Sequence, residues 1–478
     1  MTSTLLLHLL ACTGPGDPEL DTSSTAADPS RPWRRELPPL STEATAPRGY
    51  TWQRAIVHLH SSWSHDACDG EPLDEAGQPR RDCLEDLRRG LCEAGIEHAF
   101  LSDHPAHFAT AEWGEEALLA DSSSTLLPSP TDARVLSYAC STAHTMRWYP
   151  GVEDELMPVG LDRHVDGDAA QRDQTYNRYD GEALEAFTAA GAVRLLAHTE
   201  SRDLAELQAL VAQGLQGVEF YNLHASFDPG IRSEHLGLDP VSWLSDLGLF
   251  MEEGSTAEPD LFVLSVLQRQ EVSEQAWDAL NASAPGSTVV FATAGTDAHQ
   301  NVLPTLMSDG ERVDSYRRML RWFSQHLWVD GDAESQGVDA AEQALAAGRF
   351  HVVFEILGTP VGFDLHLRAS DGAVYEMGSA VPASALPATL VVGCPSLAPD
   401  SPRGERDPEV LVSVLRDGIE VAQGCGEHTV SVSGTWRVEV DMIPWHIAPF
   451  LGDDAETAER WMRAYPWITS NPIRVLSP

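Results

Sequence analysis

No stretch of the 478 residues approaches the roughly 20 consecutive apolar positions that a membrane-spanning helix needs. Basic residues are scarce: 31 Lys and Arg stand against 73 Asp and Glu, a formal net charge of −42. Such a surface repels phosphate backbones, so nucleic acid is not an expected partner. The acidic excess fits a halophilic or calcium-rich setting, or plain solubility. No Cys-x-x-Cys pair occurs, which argues against a cysteine zinc site. There is no Gly-rich phosphate loop, no dinucleotide fingerprint and no Gly-x-Ser-x-Gly nucleophile elbow. Internal repeats are absent as well.

What remains is an ordinary globular composition, 42% hydrophobic, with room for two domains. A short apolar run over residues 5–11 ends in Leu9-Leu10-Ala11-Cys12. This resembles a bacterial lipoprotein signal over residues 1–12, with Cys12 as the lipidated residue, although no Lys or Arg precedes the run. The resemblance implies an exported protein of the cell envelope, in the periplasm or at the outer membrane, touching membrane only through a lipid anchor. Residues 13–49 are rich in Pro, Ser, Thr, Asp and Glu and read as a flexible linker.

Between about residue 50 and 348, short β-like runs alternate with Ala/Leu/Glu-rich helical stretches. The runs cover residues 54–60, 98–102, 193–197, 217–221 and 288–293. Helices are predicted over residues 83–94, 181–190, 203–213 and 271–280. Strand then helix, repeated, predicts a parallel α/β fold, and nearly continuous apolar strands suit a sheet buried on both faces. From residue 349 to 478 the texture changes to short Val-rich segments broken by Gly, Pro and Asp. These predict a small antiparallel β-sandwich domain, with a hairpin turn at Arg416-Asp417-Gly418-Ile419. The closing residues 465–473 are expected to pack back onto the first domain.

The chemistry lies in where histidines and acids fall. His58 and His60 end the first run, two apart and so on one face of a strand. Ser102-Asp103-His104 ends the second, His198 ends another, and Thr296-Asp297-Ala298-His299 ends the last. In an α/β barrel the C-terminal strand ends converge at one mouth. A single strand-end His is more often a hydrogen-bonded structural residue than a ligand, and Asp before a helix can be a cap. Four such strand ends are harder to explain by packing, because a buried imidazole needs partners that a metal supplies. Imidazoles with carboxylates suit Zn, Mn or Fe.

These motifs, taken in order from residue 58 to residue 299, resemble the polymerase and histidinol phosphatase (PHP) family of metallohydrolases. The match runs through His58-Leu59-His60, Asp66, Ser102-Asp103-His104, Gly151-Val152-Glu153, His164, Leu196-Ala197-His198, Gly217-Val218-Glu219 and Asp297-Ala298-His299. Gly348-Arg349-Phe350-His351, with Ser470-Asn471-Pro472-Ile473, looks like the carbaryl-hydrolase-like branch, which carries a C-terminal β domain. The resemblance implies a distorted (β/α)7 barrel holding two or three divalent metal ions. One would take His58, His60, Glu153 and Asp297; a second Glu153, His164 and His198; a third Asp66, His104 and His299. His65 is the alternative to Asp66. Glu153, His198 and Asp297 would act through metal-bound hydroxide.

The expected activity is phosphoester hydrolysis of a small molecule, with carbamate, ester or amide hydrolysis at the same centre as the alternative. A non-catalytic envelope binding protein is the second alternative. Asp103 is expected to orient an imidazole rather than bind metal. His224, His107 and His144 are second-rank candidates for substrate contact, as Arg147, Arg163 and Arg202 are for gripping an anion. Six cysteines besides Cys12 could form up to three disulfides. Cys394 is expected to pair with Cys425, and Cys68 with Cys83, closing a polar loop beside the metal site.

Overall fold

A computed structural model describes residues 32–43, 46–141, 144–252, 254–330, 339–452 and 458–478. The expected signal with Cys12, and the linker up to residue 31, lie outside the described residues. The linker reading fails closer to the first strand. Leu37 and Leu40 are buried. Trp33 donates a hydrogen bond from Nε1 to Asp260 Oδ2 (3.1 Å) and lies against the ring of Phe450. Leu40 joins the hydrophobic core and Trp33 packs on Phe450, which orders this Pro-rich strap.

The chain is mixed α/β, built on one large mixed sheet. Its first strand, Tyr50–Leu59, pairs in parallel with His98–Phe100 on one side and with Phe291–Ala298 on the other. Outward from Phe291–Ala298 lie Gly217–Asn222 and Val193–Leu196, both parallel, then Met157–Val159, antiparallel. Outward from His98–Phe100 lies Thr145–Tyr149, again parallel. The two ends of this path meet at a bridge between Gly151 and Val159. Five of these strands match the predicted runs. Thr145–Tyr149 and Met157–Val159 were not predicted, because Arg147 and Pro158 interrupt their apolar character.

The helices Arg81–Glu93, Gly181–Ala189, Leu204–Ala212 and Glu271–Ser283 fall where the pattern put them. Asp180 and Asp203 start two of them by accepting hydrogen bonds from backbone amides of the first turn.

The C-terminal part is mostly antiparallel, with one parallel pairing of Ala380–Val381 and Ile473–Val475, and it does not start a separate sheet. Phe350–Val353 pairs with Ser324–Asp330, which itself pairs with the first half of Tyr50–Leu59. The ladder continues through Tyr465–Ser470, Gly434–Ile443 and Glu409–Arg416. A smaller sheet holds Val374–Glu376, Asp364–Ala369, Ala388–Gly393 and Gly426–Val430. One hydrophobic core runs through both parts. Asn471 accepts from the Ala292 amide (2.8 Å) and donates to the Phe350 carbonyl, seating the chain end on the central sheet. The expected hairpin at residues 416–419 is present, with Asp417 (φ 52°) and Gly418 (φ 77°) both left-handed. Disulfides join Cys68 to Cys83, Cys92 to Cys140 and Cys394 to Cys425.

Candidate metal centre

The strand ends bring eight of the nine predicted ligands together. They fall into overlapping groups whose potential ligand atoms lie within 4.8 Å of one another: His60, Asp66, His104 and His299; His58, His198 and Asp297; His58, His60 and Glu153; and His224, Asp297 and His299. These groups could hold a metal ion. His58 Nε2 and His60 Nε2 each lie 3.3 Å from Asp297 Oδ1, and His198 Nε2 lies 3.5 Å from Asp297 Oδ2. His299 Nε2 and His104 Nε2 lie 3.2 Å and 3.6 Å from Asp66 Oδ2. Ligands of an ion bound at about 2.0–2.1 Å in a tetrahedral site stand about 3.3 Å apart.

The fit is tested by the atoms left without partners. His58 Nε2, His60 Nε2, His299 Nε2, His224 Nδ1 and Asp66 Oδ1 are buried and make no hydrogen bond among the described residues. Buried polar atoms are normally satisfied, and these five fit the groups that could hold a metal ion. The other ring nitrogens are occupied. His58 Nδ1 donates to Glu219 Oε1 (2.7 Å), His60 Nδ1 to Ser64 Oγ (2.7 Å) and His198 Nδ1 to Glu200 Oε1 (3.2 Å). His104 Nδ1 donates to the Glu153 carbonyl (3.0 Å) and His299 Nδ1 to the Asp297 carbonyl (2.8 Å). Each bond fixes the tautomer that leaves the Nε2 lone pair facing inward.

The backbone is bent to achieve this. His58 (φ 64°), His198 (φ 54°) and Asp297 (φ 50°) are left-handed, which costs a non-glycine residue about 1–2 kcal/mol each. Such conformations persist where the surroundings enforce them, and they gather at functional sites. Gly295 meets a matching demand. A Cβ there would stand 1.7 Å from Glu219 Oε1 and 2.9 Å from His58 Cβ. Gly295→Ala is therefore expected to push Glu219 off His58 and weaken metal binding about 10–100-fold, the usual cost of losing such a partner. A metal titration that matches wild type would refute this.

The protonation pattern follows from burial and crowding. Burial disfavours the charged form of His104 and His198, yet Asp66 and Glu153 for the first, and Glu200 and Asp297 for the second, raise each to about 9. Burial pushes Glu153 up to about 7 against the pull of His58 and His198. His60 is driven well below its ordinary value, first by burial and then by His299. Asp297 is held well below the carboxylate range by His58 and His299, which overcome its burial. Without metal, the cluster balances its carboxylates with protons.

One predicted ligand is misplaced. His164 is buried, but its Nδ1 accepts from Tyr176 Oη (3.0 Å) and its Nε2 donates to the Ala111 carbonyl (3.0 Å). Both nitrogens are used, so His164 stands outside the cluster, and His198 groups instead with His58 and Asp297. His224 comes closer than expected, with Nδ1 3.6 Å from Asp297 Oδ2. His65 is exposed, its ring 5.0 Å from that of His104, while Asp66 sits in the cluster. Asp103 accepts from the Ser61 amide, Ser61 Oγ and Ser64 Oγ, and so orients His60 through Ser64.

Glu219, Glu200 and Ser64 were not predicted as site residues. Glu219 lies within the Gly217-Val218-Glu219 motif, in the middle of a fully buried strand, and a carboxylate in such an apolar run was the available signal. His144 donates to the Ile96 carbonyl, and Arg202 pairs with Glu155 and stacks on Tyr179. Compared with known proteins, the chain matches no family model and none of the curated proteins.

Proposed function

We propose that this chain is a metal-dependent hydrolase with a multinuclear centre, of the PHP type. The observation that carries the reading is the inward Nε2 atoms of His58, His60 and His299, orphaned and buried, each ring with its Nδ1 hydrogen-bonded. The seven-strand pairing path, returning on itself at Gly151 and Val159, supports a distorted (β/α)7 barrel. The two antiparallel sheets sharing one core after residue 349 support a β-sandwich joined to it.

Two or three ions of Zn, Mn or Fe suit this imidazole and carboxylate donor set. When bound, such ions supply a Lewis acid and activate water near neutral pH. His58 and Asp297, almost fully buried, form the floor. His104, His198 and His224, whose side chains are 23%, 24% and 35% exposed, form the open side through which substrate reaches it. Glu153 Oε1 and Oε2 face His198 and His104 and can hold a proton between them.

The leading reaction is hydrolysis of a small-molecule phosphoester. Carbamate, ester or amide hydrolysis is the second reading, favoured by the engagement of Arg202 with Glu155 and by an apolar wall beside Asp297. Three disulfides support an exported protein, and we extend this to a lipid-anchored envelope location. Among the described residues no helix is long and apolar enough to cross a membrane.

Elemental analysis of the purified chain beside His198→Ala tests the proposal. Two or three metal equivalents are expected, falling by about one in the variant together with phosphomonoester turnover. Less than one equivalent, unchanged in the variant and not restored by added Zn or Mn, would sink the enzyme reading.

A further inference from the structure

Next to the metal cluster lies a cavity of about 150 Å³. Its walls are Phe227, Trp243, Leu303, Val313, Met319 and Trp322, and its inner end is formed by His224 and Asp297. The cavity is therefore continuous with the centre at the one carboxylate that five imidazoles share. Resting on the hydrolase reading above, we propose that this cavity holds an apolar, aryl-sized group of the substrate beside the bond to be cleaved.

The size fits: a cavity of about 150 Å³ with apolar walls accepts benzene. The walls are fixed rather than collapsible. Trp322 Nε1 donates to the Asp260 carbonyl (2.8 Å). Phe227 stands edge-on to Trp243 with ring centroids 5.4 Å apart. Asp314 Oδ2 accepts from the amides of Val302 and Leu303 (2.7 and 2.8 Å) and pins that loop. The acidic groups near the cavity are thus already engaged, since Asp314 also pairs with Arg312 and Asp228 accepts from the Ile231 amide.

Two further observations point to a ligand. Trp243, which lines the cavity, has a buried Nε1 that donates to nothing among the described residues. Val302, which lines the cavity, is 44% exposed, and Val241 and Leu244, flanking Trp243 in the chain, are each 47% exposed. Apolar side chains left exposed beside a built apolar cavity mark a binding site better than scattered exposure does.

The test compares phenylphosphonate with methylphosphonate on the metal-loaded full chain by calorimetry, in wild type and in Leu303→Trp. Leu303 is only half-buried, so the larger ring enters the cavity without breaking the core. Phenylphosphonate is expected to bind at least tenfold more tightly, as burial of a phenyl group implies. Leu303→Trp should shrink that preference to under twofold and leave methylphosphonate affinity unchanged. Equal binding of the two phosphonates to wild type, or a preference that survives Leu303→Trp, overturns the proposal. If neither phosphonate binds and no metal is retained, the hydrolase reading falls first. Benzene, which has no group for a metal, then decides through the methyl NMR signal of Met319. A shift in wild type that is lost in Leu303→Trp keeps the cavity as an aryl site, and no shift in wild type removes it.

Discussion

Replacing Asp297 by alanine is expected to remove at least one metal equivalent and to lower kcat/KM about a thousandfold or more. The carboxylate sits at the hub of the cluster, 3.3 Å from ring nitrogens of His58, His60 and His299 and 3.5–3.6 Å from His198 and His224. No other anion in the site is shared by so many imidazoles. Metal-assisted charge stabilisation is worth several kcal/mol, and each 1.36 kcal/mol is a factor of ten in rate. Asp297→Asn keeps the shape with a weaker oxygen donor and should fall between the two. His164→Asn is the contrasting control. It should retain full metal content and lose only the hydrogen bonds to Tyr176 and Ala111, about 1–3 kcal/mol of stability. Elemental analysis and steady-state kinetics read both outcomes. Full metal content with near-normal turnover in Asp297→Ala would place the centre elsewhere.

The contrast between Asp297 and His164 shows which parts of the site were legible in the chain. His58, His60, His198, Asp297 and His299 announce themselves because they end apolar runs, and a strand end has a defined place in an α/β sheet. His164 follows no such run. It enters only as one member of the ordered motif set, and what its ring touches, Tyr176 and Ala111, depends on how one later and one earlier segment fold against it. Glu219 and Glu200 fall between these cases. Their roles require the parallel register of Gly217–Asn222 with Phe291–Ala298 and the left-handed turn at His198, and composition carries neither. The boundary at residue 349 misled for a similar reason. The texture does change there, but Phe350–Val353 joins the sheet of the first strand through Ser324–Asp330, and edge pairing between distant segments leaves no local signature.

Removing the metal should expose opposite pH dependences in the loaded and metal-free protein. In the metal-free chain His104 and His198 titrate near 9, above the ordinary histidine value. Their charged forms stabilise the fold. That contribution is fully present below about pH 6.5 and is lost as pH rises through 9. Glu153, raised to about 7, acts in the same direction. It is neutral and untroubled in acid, and its buried charge becomes a cost as pH climbs from about 4.5 to 7. Below about pH 6.5 the buried neutral imidazoles of His60 and His299 act in the opposite direction, so stability of the metal-free protein should fall from about pH 7 to 9. The metal-loaded protein should do the reverse, because a cation needs the same imidazoles neutral and the same carboxylate ionised, so binding displaces protons. Each displaced proton adds about 1.4 kcal/mol of metal-linked stability per pH unit. The gap between loaded and metal-free melting temperatures should then widen from about pH 6 to 9. At saturating metal, with each site at about 100 times its dissociation constant, it should reach several kcal/mol. Melting curves with Zn or Mn and with a chelator, taken across that range, measure it. A gap that stays constant or narrows with rising pH would mean that His104 and His198 do not face the cation, and the ligand groups would have to be redrawn around the carboxylates alone.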